Sequence, residues 1–244
     1  MPGSGMGDFT GYVEAEGRGF NFMSPSASLN ATAQVQKFSF GNYNLDAIDA
    51  DITLNNGIAH AVIDSDNPLV KGMISFDALM NTDKLQATVS ADLSHADLHG
   101  LNIVSQPFTL AMCCHLDLMS DLDKVYKIDG VIDDLTMRDA KKTYRPEGIV
   151  MDILTNPDTT YAKIDCADLH LKMKASGGYE HIISQIQDLA DELTGQLNMK
   201  QLNHTALCKT LPTADIYLEA GSENIFSKAL AREGVAYDYA NILL

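Results

Sequence analysis

Tryptophan is absent, and aromatic residues of any kind make up only 7% of the 244-residue chain. Sugars and bases are commonly recognised by stacking on exposed rings, so this composition disfavours both ligand classes. Basic side chains are also scarce: 17 Lys and Arg stand against 33 Asp and Glu, a formal net charge of −16. Phosphate backbones and anionic bilayers are held by clustered Lys and Arg, so no nucleic acid is expected as a partner, and an anionic membrane surface repels this chain on average. No apolar run approaches the roughly 20 residues needed to cross a bilayer, and the N-terminus lacks the basic-then-apolar order of a secretory signal. The four cysteines, Cys113, Cys114, Cys166 and Cys208, are too few and too scattered for a disulfide scaffold and read as free thiols.

What the chain has in quantity is alternation. Hydrophobic residues make up 45% of it, and in segment after segment they recur at every second position, the period of a strand with one apolar face. One strand puts Leu85, Ala87, Val89, Ala91 and Leu93 on one face and Gln86, Thr88, Ser90 and Asp92 on the other. A second puts Phe108, Leu110, Met112, Cys114, Leu116 and Leu118 on one face, away from Thr109, Ala111, His115 and Asp117. Weaker strands follow over residues 13–20, 34–40, 50–54, 59–63, 73–79, 126–132, 160–166, 168–175 and 215–220. Turn chemistry separates them, as in Asn55-Asn56-Gly57 and Asn156-Pro157-Asp158. Sequential strands with short connections favour antiparallel meanders over crossovers through helices.

Helical spacing replaces the strand period once. Over residues 179–197 the apolar Ile182, Ile183, Ile186, Leu189, Ala190, Leu193 and Leu197 recur at steps of three and four, opposite polar side chains, which predicts an amphipathic helix lying on a face or end of the sheet. A shorter helix is expected over residues 222–232, with Ser222 as N-cap, Glu223 in the first turn and Gly234 near the C-cap. Residues 1–7 are small and patternless and read as a junction. Residues 8–220 then form one β domain, and residues 221–244 a short helix and C-terminal segment.

Residues that could carry chemistry do not assemble into a site by spacing. His95 and His99, or Cys113 and His115, could share a face, but neither pair has a second pair to complete a zinc site. Asp64 and Asp66 open like a calcium loop, yet Ser75 stands where the bidentate Glu belongs, so a turn is the better reading. Gly17-Arg18-Gly19 does not open a helix within a βαβ unit. Asp133-Asp134 reads as a solvated edge and not as an acid/base pair. No GxSxG, HExxH or phosphate loop is present. The chain is therefore expected to be no enzyme, with no catalytic or metal residue and no cofactor. The aliphatic faces remain: either each fills a closed core, or a curved sheet keeps one face open to aliphatic ligands.

Residues 154–177, LTNPDTTYAKIDCADLHLKMKASG, bear on that choice. Their Leu-x-Thr, Asp158-Thr159-Thr160, strand, Ala167-Asp168-Leu169 step and small Ala-Ser-Gly end resemble the large TamB-type translocation and assembly module proteins of Bacteroidetes. The amphipathic helix that follows, residues 90–103 (SADLSHADLHGLNI) and Leu211-Pro212 before Asp215 are similar in order and kind, and the resemblance spans residues 9–220. TamB and its AsmA-like relatives are envelope proteins with an inner-membrane anchor and a periplasmic β-groove, apolar inside, associated with phospholipid transport and outer-membrane barrel assembly. The resemblance thus implies a periplasmic middle portion of such a protein, without the anchor or the barrel-contacting module. Its expected partners are phospholipid acyl chains and, through the parent chain, an outer-membrane barrel-assembly protein.

The expected fold is mainly β: a curved antiparallel sheet with one amphipathic helix packed on it and a short second helix. Leu85, Ala87, Val89, Ala91, Leu93, Phe108, Leu110, Met112, Leu116 and Leu118 are its groove candidates. The alternative is a non-catalytic surface adhesin or carbohydrate-binding β domain, which would display aromatic platforms.

Overall fold

The computed structural model describes residues 6–40, 43–44, 46–198, 203, 205–206, 209, 213–224, 227–228 and 238–243. It is mainly β and divides into two compact units where the sequence suggested one domain. One unit holds Met1–Met119 with Gly130–Ile149, the other Ser120–Asp129 with Val150–Leu244.

The first unit contains β1 (Met6–Arg18), β2 (Ser28–Phe40), β3 (Tyr43–Asn44), β4 (Ile48–Asn55), β5 (Ile58–Asp66), β6 (Val70–Asn81), β7 (Lys84–Asp97), β8 (Phe108–Ser120), most of β9 (Tyr126–Asp139), and β10 (Thr143–Tyr144). Their hydrogen-bonded order is β1-β2-β4-β5-β6-β7-β8-β9, with β3 beside β2 and β10 beside β9. The pairings from β1 to β7 are all antiparallel. The second unit contains β11 (Ile149–Thr155), β12 (Thr159–Cys166), β13 (Leu169–Ser176), α1 (Tyr179–Asn198), β14 (Ala214–Gly221) and β15 (Tyr239–Leu243), with sheet order β11-β12-β13-β14-β15. Among the described residues neither set of strands closes on itself.

Tight turns hold the register. Asn56 and Gly57 join β4 to β5 with φ of 50° and 74°, the two positive values of a type I′ hairpin that matches strand twist. A Cβ on Gly57 would sit 2.3 Å from the Met80 carbonyl oxygen, because Gly57 O accepts the Met80 N–H at 2.7 Å. The turn from β5 to β6 is organised by Asn67, which is 1% exposed. Its Nδ2 donates to Asp46 O at 3.0 Å and its Oδ1 accepts from Leu69 N at 2.8 Å. Asp66 beside it pairs with Lys71 at 2.8 Å, and Asp64, Ser65 and Asp66, expected as part of the turn, are instead the end of β5, paired with Met73, Gly72 and Lys71.

The hairpin between β12 and β13 turns on Ala167 and Asp168, and Ala167 holds a φ of 52°. That conformation is uncomfortable for a residue with a Cβ. Ala167→Gly is expected to raise unfolding stability by roughly 0.5–1 kcal/mol, the relief of strain net of glycine's larger unfolded-state entropy. Urea denaturation of the two proteins measures it, and an unchanged or lower midpoint contradicts it.

Several boundaries differ from the sequence reading. Met6 and Gly7, set aside as junction residues, belong to β1, where Met6 pairs with Phe40. β11 was not anticipated because Ile-Val-Met-Asp-Ile-Leu-Thr is a nearly continuous apolar run without a period of two. β15 lies in the C-terminal segment beyond the helix expected over residues 222–232, where the sequence reading places no element.

The start of α1 is fixed within its own unit. Tyr179 N donates to Thr155 Oγ1 at 2.9 Å, and the Tyr179 ring meets Tyr126 edge-on at 5.5 Å. Ile182 is 4% exposed, whereas Ile183 and Ile186 are each 50% exposed, so the apolar stripe is not buried along its whole length. Gln196, only 3% exposed, holds the last turn: its Oε1 accepts from Asn203 N at 2.6 Å. Most of the expected helix over residues 222–232 lies outside the described residues. Where it is described, the cap is Asn224 and not Ser222: Asn224 Oδ1 accepts from Ser227 N at 2.8 Å, and Asn224 O accepts from Lys228 N at 3.1 Å.

Candidate functional site: an apolar sheet face

Antiparallel register places directly opposed residues on the same face, so the pairings of the first unit can be followed strand by strand. Val13 stands opposite Ala33, then Ala50, Ile63, Ile74 and Ala91. The neighbouring row runs Ala15, Ala31, Ile52, Ala61, Phe76 and Val89. The next runs Gly17, Leu29, Leu54, Ala59, Ala78 and Ala87. Three side-chain bonds set β8 against β7: Thr88 Oγ1 donates to Asp117 Oδ1 at 2.7 Å, Ser90 Oγ meets His115 Nδ1 at 3.0 Å, and Cys113 Sγ donates to Asp92 Oδ1 at 3.6 Å. That alignment carries the three rows onto Cys114, Leu116 and Leu118. One face is therefore small, aliphatic or phenyl from β1 to β8.

The opposite face is mostly polar and acidic along the same strands, although Ile58, Val62, Met73 and Leu79 also lie on it. Thr32 Oγ1 donates to Asp51 Oδ1 at 2.8 Å, and His60 Nδ1 lies 2.6 Å from Asp77 Oδ1. With the three bonds to β8, these contacts zip polar partners across neighbouring strands, the polar counterpart of the apolar rows.

Burial of the apolar face is partial. Leu54, Ala78 and Ala87 are 5% exposed and Leu93 9%, whereas Ile52 and Ile63 remain 36% exposed. The other groove candidates, Leu85, Val89, Ala91, Phe108, Leu110, Met112, Leu116 and Leu118, are all half-buried. The described residues of the first unit form strands, turns and irregular segments, with no helix of that unit across the face. The structure thus brings the candidates of β7 and β8 together on one surface. Sequence reasoning missed its extension through β2, β4, β5 and β6, although each strand's own alternation carried the signal.

Two concavities are described, and the first takes in Gly17, Leu29 and Leu54 of the third apolar row. One of about 600 Å³ is lined by Glu16, Arg18, Ser28, Asn30, Thr53 and Leu54 among others, and one of about 300 Å³ by Lys124, Pro157, Tyr179 and His181 among others. Neither includes a groove candidate. The candidate site is a face and not a pocket.

The residues weighed for chemistry are dispersed. His95 lies in β7, whereas His99 sits in the following turn with Nδ1 3.2 Å from Val104 O. Cys113 and His115 do share the polar face of β8. Desolvation, followed by the negative charges of Asp92, Asp134 and Asp133, holds the Cys113 thiol above its ordinary pKa, which opposes a reactive thiolate. Asp133 and Asp134 are both exposed, the latter with a φ of 51° that interrupts the alternation of β9. Among the described residues no group of three or more His, Cys, Asp or Glu could hold a metal ion. Cys113 and Cys114 are free thiols, Cys166 is buried, and Cys208 lies outside the described residues.

Two carboxylates of the second unit sit in structural networks. Hydrogen bonds from His170 and then Lys163 lower the pKa of Asp165. At Asp168 desolvation acts upward, but donation from Glu223 N, Asn224 Nδ2 and Asn224 N outweighs it, and the pKa falls. A carboxylate whose folded pKa is depressed stabilises the fold above its unfolded pKa, and that contribution disappears as pH falls through the folded value. The contribution of these two carboxylates is therefore expected to be complete down to about pH 4, the ordinary carboxylate value, and to fall away below it, giving the second unit an acid limb of stability. Asp168→Asn should flatten that acid limb in a pH series of thermal scans; an acid limb identical to that of the unaltered chain contradicts the assignment.

Comparison with family models, with characterised proteins and with solved structures finds no match to this chain. Among the described residues no helix is long and apolar enough to cross a membrane.

Proposed function

We propose that this chain is a non-catalytic segment of a TamB-like envelope protein, and that the apolar face of its first unit shields phospholipid acyl chains from water as they pass between membranes. On this reading it works in the periplasm, and its parent protein also serves outer-membrane barrel assembly. The observation that carries the reading is the unbroken apolar ladder from β1 to β8, which is only partly buried although it is the continuous apolar face of its sheet. The resemblance of residues 154–177 to the TamB-type proteins supports it independently.

The chemistry suits a conduit. Each methylene removed from water contributes about 0.8 kcal/mol, so a short acyl stretch is held appreciably. An aliphatic surface has no directional groups to fix one position, and register along the ladder costs nothing to change. The acidic opposite face repels anionic headgroups and keeps the two surfaces distinct.

A photoreactive phenylalanine analogue tests the face directly. Placed at Phe76, within the ladder, it should cross-link to phospholipid when the protein is incubated with phosphatidylethanolamine vesicles. Placed at Asp77, one residue along on the polar face, it should not. Equal labelling at both positions, or none at Phe76, overturns the proposal.

A further inference from the structure

The larger concavity, of about 600 Å³, lies within the first unit and is walled by β1, β2, β4 and by Pro25, Ser26 and Ala27 of the loop that joins β1 to β2. Register sets its polar side chains in two rows: Glu16, Asn30 and Thr53 stand opposite one another, and so do Arg18, Ser28 and Asn55. These rows flank Gly17, Leu29 and Leu54 and, one residue out of step with them, belong to the face opposite the apolar ladder. Leu54 is 5% exposed and Gly17 has no side chain, whereas Glu16, Arg18, Asn30, Thr53 and Asn55 are exposed, so the groups a ligand can reach are polar. Among the described residues, no hydrogen bond or ion pair within the protein engages the side chains of these two rows. The walls are fixed. Asn21 O accepts from Ser24 N and Ser24 O from Ala27 N, each at 2.9 Å, and Asn21 Oδ1 accepts from Met23 N at 3.1 Å. β2 and β4, which carry Asn30, Thr53 and Asn55, are hydrogen-bonded to a strand on each side, so the floor is interior sheet. Size and fixed walls are those of an ordinary small-molecule site.

We propose that this cavity binds a neutral oligosaccharide. Two amides, two hydroxyls, a guanidinium and a carboxylate offer donors and acceptors together, which neighbouring sugar hydroxyls, each donor and acceptor at once, require. An apolar ligand would strip water from these groups and give them no partner in return. Among the described residues Arg18 and Glu16 are the cavity's one cation and one carboxylate, so the lining is neutral on balance, and a polyanion is repelled by a chain of net charge −16. The C–H faces of sugar rings stack on aromatic side chains. The chain is poor in them, yet the loop that walls the cavity carries Phe20, fully exposed, and Phe22, 51% exposed. Phe22 stands three residues before Pro25, so their Cα atoms are at most roughly 11 Å apart, within reach of a trisaccharide seated in the cavity. The site lies on the face opposite the apolar ladder, and it stands whether or not that ladder carries lipid.

Titration calorimetry tests the site with maltotriose, cellotriose and tri-N-acetylchitotriose as neutral probes and trigalacturonate as an anionic one. At least one neutral trisaccharide should bind with a Kd of about 1 mM or tighter. For that probe the double variant Asn30→Ala/Asn55→Ala should bind about tenfold more weakly or worse. Phe22→Ala should cost roughly threefold or more, the loss of a stacking ring. Gln86→Ala, on the same polar face beside Leu79 and outside the cavity, should bind as the unaltered chain does. Asn30, Asn55, Phe22 and Gln86 are all exposed, and circular dichroism checks that each variant folds. Absence of binding by all three neutral probes overturns the proposal, as does tighter binding of trigalacturonate. An affinity unchanged in the double variant or in Phe22→Ala also overturns it, because the sugar would then sit elsewhere.

Discussion

Val89→Asp is expected to stay folded, to lose on the order of 1–2 kcal/mol of stability, and to bind acyl chains at least about tenfold more weakly. Val89 lies in the middle of the apolar ladder, opposite Phe76 on one side and aligned with Leu116 on the other. It is half-buried, so an aspartate there retains contact with water and avoids the several kilocalories that an unpaired carboxylate costs in a dry core. What it destroys is the continuity of the greasy track: about two methylenes of contact, at about 0.8 kcal/mol each, correspond to the tenfold loss. Thermal unfolding and binding of a fluorescent fatty acid separate the two effects. Wholesale unfolding would mean that the face is a closed core. Unchanged binding in a folded variant would mean that acyl chains bind elsewhere.

Gly72→Ala is expected to be the most damaging single substitution in the first unit, costing about 2–4 kcal/mol. Gly72 has a φ of 140°, a conformation essentially restricted to glycine. A Cβ there would lie 2.0 Å from Asp92 O and 2.8 Å from Leu93 Cα, both backbone atoms that cannot swing aside. The position matters because the register of β6 against β7 shifts between Lys71 and Gly72: Gly72 faces Leu93 and Lys71 faces His95, leaving Ser94 as the extra residue. Ser94 Oγ donates back to Lys71 O at 3.2 Å and closes the bulge. Without that bulge the end of β7 would be turned over, moving His95 and Ala96 to the wrong faces. A urea midpoint close to that of the unaltered chain contradicts this account; a large drop, with hydrogen exchange accelerated across β6 and β7, agrees with it.

These two substitutions illustrate what the sequence carries openly and what it hides. The alternation of Leu85, Ala87, Val89, Ala91 and Leu93 declares a strand with one apolar face, and Asn56-Gly57 declares the turn that its positive φ values then display. Strand identity and antiparallel neighbours follow from such local signals. The ladder depends on register, and register depends on features such as the bulge at Gly72, where one glycine among 17 has a special role that composition cannot single out. Helical spacing declares α1, but not that Ile182 would be buried while Ile183 and Ile186 stay half exposed, because that depends on where Thr155 anchors the first turn. The Asp168 network is hidden for the same reason. It joins a turn residue to Glu223 and Asn224, more than fifty positions along the chain, and a lone Asp in a hairpin carries no mark of such a partner.

Native mass spectrometry of the gently purified chain tests the central claim most directly. Retention of acyl chains by the half-buried ladder should give phospholipid adducts on the unaltered protein, which disappear in Val89→Asp while that variant keeps its folded charge-state distribution. A bare protein mass, unchanged after incubation with phospholipid, would contradict the claim that this face serves as a lipid surface.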